Sequence, residues 1–264
     1  MAAAVYPVSS RAVAAAVTAV LRAAHVTTCL QAGISGAAAS VAKSDESPVT
    51  VADFASEVVV VSTLRDGLGP EHCAMISEED ASMLEDPANA SVLELVVAAA
   101  NTGLEGAREL SQAEVLDCLV SANGVAGPGQ GTWILDPIDG TKGFLRGTQH
   151  QYAIGLGHMG GSGELDLGVI VCPNLPQAPV VADPSAYEGP RGIILVGIPG
   201  VGCWEFPLPD EVAASAAAAA NLVTEGPPQS ILPGGKPARA SWRVGPSSWR
   251  VCESFESAHS SHSG

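Results

Sequence analysis

The chain has 264 residues and is strongly acidic, with 28 Asp and Glu against 12 Lys and Arg and a net charge of −16 at pH 7. A hydrophobic fraction of 47% is typical of a globular chain that can bury one large core or two small ones. The negative charge argues against nucleic acid or an anionic membrane as a partner, because both are polyanionic. It does not exclude a phosphorylated small molecule, since bound metal cations can reverse the local charge.

The six cysteines are dispersed and contain no C-x-x-C pair. This pattern predicts neither a zinc site nor a disulfide framework, and it favours a reducing location, in the cytoplasm or in a plastid or mitochondrion, over secretion. No apolar run approaches the roughly 18 residues of a membrane span, so none is predicted. The segment before Asp45 contains no acid and carries Arg11 and Arg22. It fits either an organelle transit peptide or an ordinary first helix.

Helical periodicity and start signals predict four helices, at residues 9–32, 50–67, 91–101 and 111–123. Ser9 or Ser10 is the expected N-cap of the first. Thr50 with Asp53, and Ser111 with Glu114, have the spacing of capping boxes. Asp53 therefore has two interpretations, as a functional acid or as part of a helix cap only.

Short apolar or alternating runs predict strands at residues 73–77, 133–135, 151–159, 165–171 and 193–198. Those after residue 147 are expected to form an antiparallel sheet. Residues 207–239 contain an Ala tract and a Gly/Pro cluster, which predict an insertion or linker. One or two more strands are expected between residues 242 and 255.

The stretch from Trp133 to Gly147 reads W-I-L-D-P-I-D-G-T-K-G-F-L-R-G. Its apolar start is the expected end of a buried strand, and Asp136 and Asp139 follow directly. Hard divalent ions such as Mg²⁺ take oxygen ligands, so two carboxylates and a backbone carbonyl in one loop form a candidate cation site. Asp-Pro and Asp-Gly are also common turn dipeptides, and a solvated turn is the alternative.

A second acidic run, Glu78-Glu79-Asp80, follows the predicted strand at residues 73–77. Three consecutive carboxylates repel one another, so they either face water or share a cation. With Asp53, Asp136 and Asp139, three acid-bearing segments lie at the ends of separate elements, and such loops can converge on one metal site.

Taken together, K-S-D-E-S-P-V-T-V-A-D at 43–53, S-E-E-D at 77–80 and the 133–147 stretch resemble the lithium-sensitive, Mg-dependent phosphatase superfamily of inositol monophosphatase. Within it, the T-K-G-F-L-R-G continuation is similar to the 3'(2'),5'-bisphosphate nucleotidases. The resemblance implies an α+β fold, an inositol monophosphatase-like layered α/β sandwich. Residues 1–206 would form an N-terminal metal-binding domain with a large antiparallel sheet, and residues 240–264 its last strand or strands and the start of a C-terminal domain.

The resemblance also implies roles for individual residues and two or three Mg²⁺ ions. Glu78, Asp136 and the carbonyl of Ile138 would hold one ion, and Asp136 with Asp139 part of a second. Asp53 and Thr141 would orient the attacking water, and the backbone at Gly140–Thr141 would bind the phosphate. His259, in the segment C-E-S-F-E-S-A-H-S-S-H, would lie near the nucleotide. The implied reaction is removal of the 3'-phosphate from adenosine 3',5'-bisphosphate, giving AMP, with the sulfated analogue as a further substrate.

One family segment, W-D-x-A-A-G, has no counterpart here, since Asp follows none of the four Trp residues. We therefore expect a C-terminally truncated chain, with a second α/β domain largely absent, a weaker second cation site and reduced activity. Two alternatives to the nucleotidase stay open. One is an inositol phosphate phosphatase, and the other is a non-catalytic binding or regulatory fragment that self-associates through its exposed face.

Overall fold

The computed structural model describes residues 8–33, 40–42, 48–104, 107–122, 124, 126–127, 129–147, 150–178, 187–208 and 235–238. His259, the strands expected between 242 and 255, and most of the predicted insertion lie outside these residues.

The helices of the described chain are α1 Ser10–Gly33, α2 Val51–Leu68, α3 Ala90–Leu104, α4 Gln112–Ser121 and the short α5 Thr141–Leu145. All four predicted helices are present, with ends shifted by a few residues. Three 3₁₀ turns, Pro70–His72, Ala81–Met83 and Pro87–Asn89, were not predicted. Aspartates cap two of them, because the side chains of Asp80 and Asp86 accept hydrogen bonds from backbone N–H groups two residues on.

The strands are β1 Ser40–Ala42, β2 Pro48–Thr50, β3 Met75–Ser77, β4 Thr132–Asp139, β5 Ala153–Met159, β6 Leu165–Pro176, β7 Arg191–Ile198, β8 Gly202–Pro207 and β9 Lys236–Pro237. The first two form a separate antiparallel pair, and the other seven form one sheet in the order β3-β4-β5-β6-β7-β8-β9. The fold is therefore α+β, as predicted.

The sheet differs from the sequence prediction in three ways. It is mixed, because β3 pairs with β4 in parallel while the other pairs are antiparallel. The parallel pair is possible because α3 and α4 lie between the two strands in the chain and supply the crossover. β8 was not predicted, and β9, within the predicted insertion, pairs with it.

The core lies between the sheet and its helices. α1 packs against α2, and these two helices cover one face of the sheet, while α3 and α4 pack against α2. Alternating residues of the strands, such as Trp133, Leu135 and Leu156, point into this core. α2 is buried along most of its length, since residues 51–64 are all buried. It is a central helix, and its polar residues are therefore held inside the protein.

α1 is the helix that bears on the prediction that no segment could span a membrane. Within the described residues, it is the one helix long and apolar enough by composition to do so, with a mean hydropathy of 1.6 over its apolar window. From the sequence, this Ala-rich stretch with two arginines was predicted to be an ordinary first helix or a transit peptide. In the fold, 67% of that window is buried, and Arg22 donates a hydrogen bond to Thr63 on α2. α1 thus occupies the position of a core helix.

The capping box predicted at α4 is confirmed. The side chain of Ser111 accepts a hydrogen bond from the backbone N–H of Glu114, and the Glu114 carboxylate accepts one from the backbone N–H of Ser111. At α2, the helix begins at Val51 and Asp53 lies in its first turn, as expected. The side chain of Thr50 lies outside the described part of the chain.

Candidate active site

The W-I-L-D-P-I-D segment forms a single strand, β4, and this corrects the expectation that the strand ends before Asp136. Both aspartates lie within it, and the pairing with β5 is irregular between them, with Asp136 opposite Gly155 and Asp139 opposite Ala153. Pro137 explains part of this irregularity, because it has no N–H to donate to a neighbouring strand. Asp139 is exposed and Asp136 is half-buried.

Asp136 is the electrostatic centre of the site. Burial, followed by the nearby charges of Glu78 and Asp139, raises the pKa of its carboxyl group from 3.8 to about 7. A hydrogen bond from the backbone N–H of Ile138 opposes this shift only in part. The Asp136 Oδ1 atom is buried and accepts no hydrogen bond from any described residue. A buried carboxylate oxygen without a hydrogen bond has lost contact with water and has gained no protein partner in exchange.

Two of the acids that act on Asp136 follow a different strand, whereas Asp139 lies on β4 itself. Glu78 and Glu79 directly follow β3, the parallel neighbour of β4, so both strands deliver their carboxyl ends to the same edge of the sheet. Glu78 is exposed and exerts the stronger charge effect on Asp136, whereas Glu79 is 4% exposed and exerts a weaker one. Glu78 is therefore the better placed of the two to share a cation with Asp136, and its role as a metal ligand stays a prediction.

The first turns of α2 approach this edge from the core side. Ser56 donates a hydrogen bond of 3.0 Å to the carbonyl of Pro137, between the two aspartates. Asp53 lies three residues before Ser56, on the same side of the helix, and is 2% exposed. The structure thus places Asp53 on the side of α2 that contacts the aspartate loop.

Glu57 belongs to this region and was missed from the sequence. It is fully buried, and its Oε2 atom accepts a hydrogen bond of 2.6 Å from the hydroxyl of Ser77, the residue before Glu78. Its position four residues after Asp53 on the same helix is a signal that could have found it. The contact ties α2 to the end of β3 and holds Glu78 near the aspartates.

The segment after Asp139 turns sharply into α5. Gly140 has a φ of 85°, a left-handed conformation that L side chains rarely adopt, and its carbonyl accepts the first hydrogen bond of the helix, from Phe144. The Thr141 hydroxyl donates a hydrogen bond of 3.2 Å to the carbonyl of Ile138. Since Ile138 is itself 1% exposed, this carbonyl is fixed between a buried side chain and the start of α5.

Residues from distant parts of the chain hold α5 in place. Gln31 at the end of α1 donates to the carbonyl of Phe144, and Asn174 on β6 donates in turn to Gln31. The rings of Phe144 and Tyr152 meet edge to face with centroids 5.1 Å apart. These contacts fix the orientation of the 140–141 backbone relative to the sheet.

The oxygen atoms at this site suit a hard cation. They are the buried Asp136 Oδ1 atom, which accepts no hydrogen bond from the described residues, the carboxylates of Glu78 and Asp139, and a backbone carbonyl. All are oxygen ligands of the type that Mg²⁺ takes. No three His, Cys, Asp or Glu side chains among the described residues come close enough to enclose an ion by themselves. Mg²⁺ does not require this, because it usually keeps several waters and substrate oxygens in its shell. His259, predicted near the nucleotide, lies outside the described residues.

The fold and this site define a class of protein, and comparison with known proteins identifies it. The model of the inositol monophosphatase family matches residues 2–204, and the chain belongs to that family. Its members are generally Mg²⁺-dependent.

Individual relatives narrow the similarity to one branch. The chain is 39% identical over 146 residues to 3'(2'),5'-bisphosphate nucleotidase 1 of Arabidopsis thaliana, which covers 53% of this chain and 40% of that protein. It is 34% identical over 183 residues to the 3'(2'),5'-bisphosphate nucleotidase of Emericella nidulans, with 64% and 50% covered. For the enzyme of the same name in Schizosaccharomyces pombe, identity is 35% over 182 residues, with 66% and 48% covered. The chain thus spans half or less of the length of these relatives.

Proposed function

We propose that the chain carries the metal-binding half of a Mg²⁺-dependent phosphomonoesterase that removes the 3'-phosphate from adenosine 3',5'-bisphosphate, and from its sulfated analogue. The observation that carries the proposal is the convergence of Glu78 and Asp139 on Asp136, whose buried Oδ1 atom has no donor in the described chain. The choice of a nucleotide over other phosphate esters rests on the names of the relatives.

In this proposal Glu78, Asp136 and the Ile138 carbonyl hold one Mg²⁺, and Asp136 with Asp139 contributes to another. Bound Mg²⁺ would neutralise phosphoryl charge and lower the pKa of a coordinated water. The carboxylates that raise the pKa of Asp136 in the metal-free protein are the same groups that would favour a divalent cation beside it.

The remaining residues would position the water and the ester. The proton of the Thr141 hydroxyl is engaged by the Ile138 carbonyl, so the lone pairs of Oγ1 can accept a hydrogen bond from a water molecule. Asp53, buried on the adjoining side of α2, would accept a second. The backbone at Gly140–Thr141, which follows a left-handed turn, would bind the phosphate.

The test is phosphate release from adenosine 3',5'-bisphosphate by the purified chain with Mg²⁺. Glu78→Gln and Asp139→Asn should each lower kcat/KM by about 100-fold or more, because each removes a negative charge that would hold the Mg²⁺ that stabilises the transferring group. Glu94→Gln, which removes one exposed acid on α3, is the matched control and should leave turnover unchanged. A second readout is thermal stability, which Mg²⁺ should raise in the parent chain and not in Asp136→Asn.

Each outcome separates the candidate functions. Preferential hydrolysis of an inositol phosphate in competition would assign the inositol alternative. Nucleotide binding by calorimetry without metal-dependent turnover would assign a non-catalytic binding role. Turnover equal to that of a complete relative would overturn the expectation of reduced activity.

A further inference from the structure

The strand pairing that brings Glu78 and Asp136 to one edge of the sheet stops one row before them. β3 and β4 pair at three positions, and the last of these joins Ser77 to Leu135. Glu78 and Asp136 are the next residues on the two chains, beyond the end of that ladder. Pairing between β3 and β4 therefore does not by itself fix the separation of the two carboxylates.

Ser56 on α2 contacts the chain directly after Asp136. Its hydroxyl donates a hydrogen bond of 3.0 Å to the carbonyl of Pro137. The register of β4 with β5 passes from Asp136 to Asp139 and assigns Pro137 no partner, so this carbonyl lies where the ladder is interrupted. Both Ser56 and Pro137 are buried, and a buried carbonyl that loses its donor is destabilising. The contact thus fixes the chain between the two aspartates to α2.

Glu57, the next residue of α2, contacts the chain directly before Glu78. Its Oε2 atom accepts a hydrogen bond of 2.6 Å from the hydroxyl of Ser77. Glu57 is 0% exposed, and a carboxylate accepts such a bond more strongly than a neutral oxygen does. The backbone N–H of Ser77 also donates to the carbonyl of Ala122, the C-cap of α4. The end of β3 is therefore held through both its side chain and its backbone.

α2 is a rigid support for these contacts. Residues 51–64 are all buried, and the helix packs against α1, α3 and α4. Adjacent residues of one helix keep a fixed spacing, because intrahelical hydrogen bonds hold the backbone. We call the two hydrogen bonds, from Ser56 to Pro137 and from Ser77 to Glu57, the α2 brace. The brace holds the two acid-bearing strand ends at a separation that the helix sets.

The separation of ligands matters more to a small ion than to a large one. Mg²⁺ requires near-ideal octahedral geometry, with oxygens at about 2.0–2.1 Å, whereas Ca²⁺ accepts more oxygens at about 2.3–2.6 Å in flexible arrangements. Ligands that are held in place therefore favour Mg²⁺, and ligands that can move apart lose that preference.

We propose that Ser56 and Glu57 are positioning residues, which hold the two metal-binding strand ends at the separation that suits Mg²⁺ and so make the site prefer Mg²⁺ to Ca²⁺. The inference rests on the metal site of the proposed function and adds the residues that determine which ion is bound. Neither side chain contacts the ion, since each acts through the residue beside a ligand. Partners that orient metal ligands typically contribute about 10- to 100-fold to metal affinity.

The test is calorimetric titration of the whole metal-free chain with MgCl₂ and, separately, with CaCl₂. Ser56→Ala and Ser77→Ala should each weaken Mg²⁺ binding by about 10-fold and Ca²⁺ binding by less than about 3-fold, so that the preference for Mg²⁺ falls. The melting temperature in chelator shows whether each variant is folded.

The matched control is Ser62→Ala, on the same helix. Ser62 is buried like Ser56, but its Oγ atom has no hydrogen-bond partner within the described chain. This variant should keep the parent's affinity for both ions. A loss of preference for Mg²⁺ in Ser62→Ala equal to that in Ser56→Ala would be a general effect of altering α2, and it would overturn the proposal.

Substitutions at Glu57 separate position from charge. Glu57→Gln keeps an oxygen that can accept from Ser77, and it should bind both ions as the parent does. Glu57→Met has no acceptor and should lose the preference for Mg²⁺. Combining it with Ser77→Ala should cause no further loss, because both changes remove the same hydrogen bond. Weaker binding of both ions by Glu57→Gln would indicate a role of charge and would overturn the positioning role.

Failure of this inference can be told apart from failure of the proposed function. A parent chain that prefers Mg²⁺ to Ca²⁺ but hydrolyses no nucleotide would remove the proposed reaction and leave the brace. Mg²⁺-dependent turnover by the parent, with an unchanged ion preference in Ser56→Ala and Glu57→Met, would overturn the brace alone. A parent chain that binds the two ions equally well would also overturn it.

Discussion

At the scale of single residues, the ionised carboxylate of Asp136 is destabilised by its surroundings in the metal-free fold. Its carboxyl group is partly buried beside other acids, and one of its oxygens has no donor among the described residues. Local rules of stability are broken in this way mainly at functional positions. A bound cation would remove this destabilisation, so its effect on stability should be measurable in the metal-free protein.

The first prediction concerns the pH dependence of stability. The folded-state pKa of Asp136 is about 7 against an ordinary value of 3.8, so the folded chain binds an extra proton between these values. In chelator, this residue should therefore make the protein less stable as pH rises from about 4 to 7. Asp136→Asn should melt at least about 2 °C higher than the parent above pH 7, measured by differential scanning fluorimetry.

Mg²⁺ should reverse that order, because it stabilises only the parent. Glu94→Gln, which also removes one acid, should follow the parent under both conditions. Equal melting curves for the parent and Asp136→Asn in chelator would show that the carboxyl is not under strain.

At the scale of elements, α5 is positioned by a close backbone contact. A Cβ at Gly143 would collide with the carbonyl oxygen of Gln151, so only glycine lets α5 lie this close to the chain before β5. This is the position from which Thr141 contacts the Ile138 carbonyl. The glycine at position 143 is thus a structural requirement of the site.

We predict that Gly143→Ala costs about 1–3 kcal/mol of stability, since the helix must move to relieve the clash. Mg²⁺-dependent stabilisation should fall with it, because the 138–141 backbone shifts. Gly168→Ala, where the added methyl meets open space, is the control and should be neutral or stabilising. A neutral Gly143→Ala would mean that α5 is not constrained by this contact.

The start of α4 gives an element-scale prediction away from the site. The backbone N–H of Ser111, and then the Arg108 guanidinium, lower the pKa of Glu114 from 4.5 to about 2. Its contribution to stability is therefore present above pH 4.5 and is lost as the pH falls toward 2. Glu114→Gln should lower the melting temperature at pH 7, and the difference from the parent should narrow below pH 4.5.

Glu109→Gln serves as the control for that experiment, because Glu109 is an exposed acid in the same connection and is not part of the capping box. Its melting temperature should equal that of the parent at every pH. A Glu114→Gln difference that does not change with pH would indicate lost packing instead of lost charge.

At the scale of the whole molecule, a net charge of −16 opposes compaction. We predict that the melting temperature of the metal-free chain rises with added KCl, because salt screens the repulsion among its acids. The rise should be measured at low protein concentration, where association does not contribute. A melting temperature independent of salt would show that the acids are spaced widely enough not to interact.

Much of the fold follows from local signals in the sequence. The four long helices were predictable because their start signals and apolar spacing are local, and the Ser111–Glu114 capping box confirms one such signal atom by atom. Strand ends were less predictable. β4 continues through Asp136 and Asp139 because pairing with β5 holds it, and that partner lies more than ten residues away in the chain.

By itself, the sequence determined which acids are available and the family to which they belong, because motif order and residue type are properties of the chain. Only the tertiary structure decided that Glu78 is exposed and acts on Asp136 while Glu79 is buried, and that Glu57 joins the region from α2. Burial and the distance between residues far apart in sequence depend on how the strands pair and how the helices cover them, and no local pattern encodes either.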